Sequence, residues 1–376
     1  MCHFLWVEYE DIDWEYLQKD RDRAFACSYC IRKGLIRKAQ MAHNFRLFMA
    51  KNPDSCLATH VPETWVFDLD CIDYLDEALQ ECYEVEQALT KNQQLINSGE
   101  ASSEEIERFI LKPSLTGRGA GIYIFDTLEK LQHILESELE SDSEDESEAG
   151  QYDWQALSQI REFVIQRYID RPLLLAKYGK RKFHIRTYVL CVGAVKVYVY
   201  NRMLALFATD AYDEKGSDLT NMSAHLTNTC LQSRSKSFDE GKAVELFSEL
   251  ATDSADLSPR DLDAILEQIR RIVAECFAAV VAQPFSFQPW PNCLEQFGFD
   301  FLVDTNHRVY LLEANSYPDF KQTGKRLEGL VDEFMDASIR VALSELLLPR
   351  LGQQVPDELQ QPIPTLDLVY EKDLNR

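Results

Sequence analysis

In the stretch 297–315, FGFDFLVDTNHRVYLLEAN, three oxygen-bearing side chains, Asp300, Glu313 and Asn315, leave an otherwise apolar pair of strands that turns at 305–308. Period-two alternation sends Phe299, Phe301 and Val303 to one face and Asp300 with Leu302 to the other, while Glu313 and Asn315, two apart, project together. Hard oxygen donors of this kind suit a cation such as magnesium. Turn-flanked acidic strands are common, so the stretch by itself reads first as an ordinary hairpin with solvated carboxylates. A second run, Lys112-Pro113-Ser114-Leu115-Thr116-Gly117-Arg118-Gly119-Ala120-Gly121, sets a lysine at a strand end before a glycine-rich loop whose amides can fold over phosphates. It is neither a Walker loop nor a Rossmann turn, because no Gly-Lys-Ser/Thr follows and the loop leads into another strand. Arg186, on a strand face, is suited either to a phosphoryl group in transfer or to a cross-strand carboxylate. His225 offers an imidazole with no metal motif around it.

The elements that must position these groups follow from periodicity. Residues 11–50 have helical spacing and a cationic face, with the basic run from Arg32 to Lys38 inside it. Residues 73–97 and 102–110 also read as helices, the second capped by Ser102 or Ser103. Residues 109–125 then give strand, glycine-rich loop and strand, with Pro113 stopping any helix. A helix is expected around 153–161, a strand over 163–169, and a long hairpin over 182–208 turning at Gly193. On its first strand Lys182, His184, Arg186 and Tyr188 share one face, and Phe183, Ile185, Thr187 and Val189 the other. Further helices are expected over 240–250, 259–282 (started at Ser258-Pro259) and 325–347, and a poorly ordered polar tail after Pro349.

The bulk numbers narrow the function. With 376 residues, 45% hydrophobic and 27% charged, the chain has the composition of a globular protein built as one large domain or two to three lobes. The acidic start and the lack of any run of about eighteen apolar residues give no export or membrane signal, so a cytoplasmic protein without a membrane partner is expected. The ten cysteines are irregularly spaced, and Cys27 with Cys30 lacks the second pair that zinc would need; buried thiols are expected rather than disulfides. A net charge of -24 opposes a polyanion, and no nucleic-acid partner is expected. Residues 136–148 hold eight acidic groups and no basic one, which marks 136–150 as a disordered insert. Its Ser141 and Ser143 lie in surroundings that acid-directed kinases accept.

The succession of phosphate-type loop, short strand Gln166-Arg167-Tyr168-Ile169, basic strand and carboxylate hairpin resembles an ATP-grasp ligase, and more narrowly the tubulin-tyrosine ligase family. The motifs KPSLTGRGAGI, VIQRYIDRPLLL, RKFHIRTYVL, HLTNTCLQ, and FGFDFLVD with VYLLEAN carry the resemblance from about Cys30 to Lys325. Among relatives it is similar to fungal P-body-associated members, in which a second enzyme domain can precede this one. The resemblance implies an α+β or α/β architecture, the ATP-grasp fold, with a nucleotide cleft between two lobes of largely antiparallel sheet plus helices. It divides the chain into a shortened N-terminal region (1–30), a central lobe (31–172), a C-terminal lobe (173–348) and the tail (349–376).

It also implies roles. Lys112 and the loop around Gly117, Arg118 and Gly119 meet the phosphates of ATP. Gln166, Arg167, Tyr168 and Ile169 line the adenine hinge, and Lys33, Lys182 and His184 complete the nucleotide site. Asp300, Glu313 and Asn315 hold Mg2+. Arg186, with Lys182 and Glu313, acts in the transfer itself. Family chemistry phosphorylates a protein carboxylate with ATP, and an amino acid's amine, tyrosine's by family default, then displaces phosphate. Two departures stand out. His184 replaces an aspartate of the family's Lys-Phe-Asp-Ile-Arg strand, and Leu206 stands where an arginine faces the acceptor, with Arg202 four residues earlier. The implied partners are therefore ATP, an amino acid and a protein substrate such as the tubulin C-terminal tail, with P-body association. The competing reading is a nucleotide-binding pseudoenzyme that serves as a protein-interaction module.

Overall fold

The computed structural model describes residues 2–99, 102, 105–115, 121–139, 162–213, 218–227, 240–320 and 327–374. The expected helix at 153–161, the acidic run from residue 140 onward, and Gly117, Arg118 and Gly119 lie outside them.

The helix Pro259–Val281 organises the larger half of the molecule. Ser258 caps it, accepting from the Asp261 N–H while Asp261 accepts in return, and Pro259 occupies its first turn. Its inward face, including Ile265, Ile269, Ile272, Val273, Phe277 and Val280, recurs at three- and four-residue steps. That face packs on the back of a sheet through Phe297, Phe299, Phe301 and Val303. The sheet runs β10 (Val244–Leu246), β9 (Leu204–Ala211), β7 (Arg181–Val192), β11 (Leu294–Val303), β12 (Val309–Ser316), with β8 (Lys196–Tyr200) pairing β7 and β13 (Leu366–Glu371) pairing β8. Every pairing in it is antiparallel. Burying the phenylalanine face leaves Asp300 and Leu302 on the front by the alternation of the pleat. Along the front of β7, Tyr188 and Leu190 are covered together with Leu204 and Leu206 by the helix Glu328–Val341, chiefly through Leu330 and Phe334. Lys182, His184 and Arg186 lie beyond that cover and face a second lobe.

The second lobe is the antiparallel sheet β3 (Thr64–Asp68), β6 (Glu162–Arg167), β4 (Phe109–Pro113), β5 (Tyr123–Phe125), in that order. One face carries Phe67, Phe109, Leu111, Phe125, Phe163 and Ile165 into a core with the helices Leu75–Gln80, Tyr83–Ser98 and Leu128–Leu139. The other face presents Ile110, Lys112, Ile124 and Gln166 toward the first lobe.

Several expectations change. Residues 11–50 form two short helices and a long one, Trp14–Lys19, Lys33–Ile36 and Lys38–Lys51, interrupted by β2 (Ala24–Ala26), which pairs in parallel with β1 (His3–Leu5). At the break Arg37 is extended, and the Lys38 and Ala39 amides of the next helix donate to the Ser114 carbonyl and hydroxyl; Gly34 before it lies so close to its surroundings that a Cβ there would fall 2.5 Å from both Asn44 Nδ2 and Ser286 Oγ. These helices pack on the core of the larger sheet through Leu35, Met41 and Phe45. The described part of 102–110, residue 102 and residues 105–110, is not helical. Ser102 caps only a turn through Glu105, and the chain enters β4 because Phe109 and Ile110 pair with Phe125 and Ile124. The segment 240–250 keeps one helical turn before Val244–Leu246 joins β9 as an edge strand. The hairpin over 182–208 turns at Gly193, but its return arm breaks at 201–203 between β8 and β9. The tail is ordered in part, with β13 extending the sheet at β8. The described cysteines are free thiols, and among the described residues no helix is long and apolar enough to cross a membrane.

Candidate active site

Strand register places the front-face charges in one row. Asp300 on β11 lies opposite Arg186 on β7 and opposite Glu313 on β12, with an irregularity immediately after Asp300. Arg186 clasps Asp300 through both oxygens, Nε to Oδ1 at 2.5 Å and an Nη to Oδ2 at 2.9 Å. Both side chains are buried. Burial alone would loosen the guanidinium's proton, but the Asp300 carboxylate more than offsets this, so Arg186 stays charged. Gly298 makes room for this arginine, since a Cβ there would come within 3.1 Å of the Pro318 Cβ and 3.5 Å of the Arg186 Cδ.

Glu313 faces Lys38 at 3.5 Å and accepts from the Asn315 amide at 3.0 Å. Burial works against its ionisation, yet Lys38, the Asn315 amide, Lys112 and Arg186 together hold its carboxyl at about 2. The set fits a hard divalent cation: an ionised Glu313, the Asn315 carbonyl oxygen left free by the turned NH2, and an adjacent Asp300. Among the described residues no group of three or more His, Cys, Asp or Glu is placed to hold a metal ion.

Next to this row a cleft lies between the lobes, with Ile110, Lys112, Gln166, Lys182, His184 and Leu302 in its walls. Its mixed lining, apolar walls with a few convergent lysines and carboxylates, has the chemistry a nucleotide calls for. Lys112 donates to Gln166 Oε1 at 2.8 Å, and Lys182 to the Tyr168 hydroxyl at 2.9 Å. Burial pushes Lys112 down to about 8, with Glu313 opposing. Burial and the neighbouring Lys112 push Lys182 down to about 7. The imidazole of His184 bonds Thr227 Oγ1 through Nδ1 at 2.6 Å, while its Nε2 lies 3.5 Å from Asp300 Oδ1 without a hydrogen bond. Burial lowers its affinity for a proton, Asp300 opposing, so it is neutral at neutral pH.

The structure thus brings Lys112, Gln166, Tyr168, Ile169, Lys182, His184, Asp300 and Glu313 to one cleft, with Arg186 and Asn315 beside its acidic end. Arg167 contributes backbone only, because its guanidinium pairs with Glu63 and Glu107 outside. At the hinge, the Arg167 and Tyr168 amides are used by the Glu63 and Arg108 carbonyls. Lys33 is exposed at the start of its helix and is not in the cleft wall. Lys38 occupies the position beside Glu313 that sequence reasoning did not assign. Its signal was present in the basic run, but only the break at Arg37 turns it inward. Arg32, read as part of a cationic face, is buried 2.9 Å from Glu295 and 3.8 Å over the Tyr9 ring. Leu206 pairs with Val244 of the edge strand β10 and is buried beneath the helix Glu328–Val341, and Arg202 pairs with Glu333 on the exterior rather than replacing the missing arginine.

Residues 25–349 match the model of the tubulin-tyrosine ligase family. A probable tubulin–tyrosine ligase of Schizosaccharomyces pombe is 42% identical over 91% of this chain and 83% of its own length. The probable tubulin–tyrosine ligase PBY1 of Saccharomyces cerevisiae is 40% identical over 91% of this chain, which spans only 46% of that relative. The crystal structure of the C-terminal domain of K. lactis Pby1, described as an ATP-grasp enzyme interacting with the mRNA decapping enzyme Dcp2, superposes with a TM-score of 0.68 at 32% identity, covering 98% of this chain and 88% of that one. Two antiparallel lobes enclosing a cleft of lysines and metal-type oxygens are thus the ATP-grasp fold, and the chain belongs to the tubulin-tyrosine ligase family.

Proposed function

We propose that the protein is an ATP- and Mg2+-dependent ligase that joins an amino acid to a protein carboxylate through an acyl phosphate. One observation carries this reading: the register of β7, β11 and β12 sets Arg186, Asp300 and Glu313 in a row at the end of a cleft walled by Lys112 and Lys182. The base of ATP fits between Ile110, Leu226 and Leu302, with the Ile169 amide as a hinge donor. Lys112 and Lys182 meet the phosphates. A divalent cation held by Asp300, Glu313 and Asn315 would neutralise charge on the phosphate oxygens. The acceptor carboxylate attacks the γ-phosphorus and ADP leaves; the amine then attacks the acyl carbon, loses its proton, and phosphate leaves. These side chains contribute charge and position rather than a covalent nucleophile.

The acceptor is a protein tail, with a tubulin C-terminal tail and tyrosine as the family default. Lys33, Arg37, Arg46 and Lys51 are exposed and provide local positive charge for an acidic tail on a chain of net charge -24. The Dcp2 contact of the K. lactis neighbour extends to this chain as association with the decapping machinery of P-bodies, a cytoplasmic setting. A second reading, a nucleotide-binding interaction module, is favoured by the buried Leu206 in place of an acceptor arginine. Incubation with Mg-ATP, tubulin and each labelled amino acid separates the two. Label incorporation is expected, and none under conditions where an authentic ligase works would leave the module.

Nucleotide affinity should depend on pH in a fixed direction. In the free cleft Lys182 titrates at about 7 and Lys112 at about 8. Phosphates favour both ammonium forms, so binding takes up protons above those values, and affinity falls as pH rises. Calorimetry in buffers of different ionisation heat should show uptake at about pH 8 and several-fold weaker binding at about pH 9 than at about pH 7. Constant affinity over that range would count against the lysines as phosphate ligands.

A further inference from the structure

Lys182 does not stand free in the cleft. Its ammonium donates to the Tyr168 hydroxyl at 2.9 Å, that hydroxyl lies 2.7 Å from His225 Nδ1, and His225 Nε2 lies 2.9 Å from the Asp218 carbonyl. The far end fixes the direction of the chain. A carbonyl only accepts, so Nε2 carries the proton, Nδ1 accepts, Tyr168 donates to it, and the phenol lone pairs are turned to Lys182. Lys182, Tyr168 and His225 are all buried. The helical turn Met222–His225 that carries the imidazole is seated by Leu226, which packs with Ile110, Ile124 and Tyr168 of the smaller lobe.

We propose that Tyr168 and His225 are positioning residues for Lys182: a one-directional hydrogen-bond chain from the Asp218 carbonyl fixes where the ammonium sits and how firmly it holds its proton. Other groups facing the lysine are Lys112 from β4, Asp170 after β6, His184 on its own strand and Tyr212, whose ring lies 5.8 Å away and whose hydroxyl, donating to the Asp170 carbonyl at 3.0 Å, also bears on the Tyr168 hydroxyl, with Arg108 held on Asp170 at 3.1 Å. Among these Asp170 favours the ammonium, while Lys112 opposes it. Burial keeps His225 neutral, with the Asp218 carbonyl opposing, as an accepting Nδ1 requires. A buried ammonium whose phenol acceptor is polarised by an imidazole is better solvated than one facing an isolated ring. The inference rests on the nucleotide-cleft reading only for what Lys182 meets when ATP is bound.

The test is the titration of Lys182 Cε by NMR in the ligand-free full chain, assigned by its loss in Lys182→Met. Wild type is compared with Tyr168→Phe, His225→Leu, His225→Asn and the double variant Tyr168→Phe/His225→Leu. Tyr168→Phe and His225→Leu should each lower the midpoint, the former by about one pH unit because it removes the acceptor outright. His225→Asn keeps an oxygen near the Nδ1 position and should restore a midpoint close to wild type. The double variant should match Tyr168→Phe alone, because links in series cannot be lost twice. An unmoved midpoint in Tyr168→Phe, which keeps the ring and its packing, would overturn the chain, as would identical behaviour of His225→Asn and His225→Leu. ATP binding measured on the same samples tells the two ideas apart. A wild type that binds no ATP yet shows these midpoints defeats the cleft reading and upholds the chain, while ATP binding with unmoved midpoints does the reverse.

Discussion

Replacing Arg186 by methionine is expected to destabilise the ligand-free protein by about 3–5 kcal/mol, more than any other single change at the cleft. The reason is what it leaves behind. Asp300 is buried, both its oxygens are held by that guanidinium, and His184, with Nε2 at 3.5 Å, is kept neutral by burial, which leaves the Lys112 charge as a partial counterweight. Losing the arginine strands a carboxylate in a low-dielectric wall. Losing both charges does not, so Arg186→Met/Asp300→Leu should recover most of the stability in urea denaturation while remaining inactive. A single variant that costs less than about 1 kcal/mol would mean the pair is solvated, and would remove the basis for a rigid row of charges across β7, β11 and β12.

Glu313→Gln is expected to lower ATP turnover on the order of 100-fold or more and to abolish the magnesium dependence of ATP affinity. Its carboxylate is the ionised centre of the oxygen set, and it also balances Lys38 and Lys112. Glutamine keeps the shape and one acceptor but not the charge. A stability signature accompanies this. The folded carboxyl titrates at about 2 against an ordinary 4.5. A depressed carboxyl contributes stability that is complete above its unfolded value and is lost as pH falls through the folded one. The shift corresponds to on the order of 3 kcal/mol. The variant should therefore be less stable than wild type at neutral pH, and the gap should close between about pH 4.5 and about pH 2. Parallel stability curves across that window would show that Glu313 is not held by Lys38 and its neighbours.

The carboxylate row was legible in the sequence because alternation is a local rule. Once Phe297, Phe299 and Phe301 are assigned to a core, Asp300 has one face left to occupy, and the helix Pro259–Val281 that covers those rings announces itself by Ser258, Pro259 and its apolar period. Lys38 was not legible. Its spacing fits a continuous helix through 11–50, and the break at Arg37, where Ser114, distant in sequence, accepts from the Lys38 and Ala39 amides, sets it beside Glu313. The same limit hid β13 and β10, whose edges pair with strands far away in sequence: Leu366 with Tyr200, and Val244 with Leu206.

By itself the sequence determined which residue types meet and in what order along the chain, since strand period, helix caps and glycine-rich turns are properties of neighbouring residues. Those put the lysines, the arginine and the carboxylates on their strands, while the ATP-grasp architecture came from the resemblance of their order to a known family. Tertiary structure alone decided their electrical state. Lys182 at about 7, Lys112 at about 8 and Glu313 at about 2 arise from burial and from charges on other strands and helices. It also decided that Arg186 pairs with Asp300 and that Leu206 is buried beneath the helix Glu328–Val341. Coulomb energies and desolvation depend on distances through space, and no local pattern encodes them.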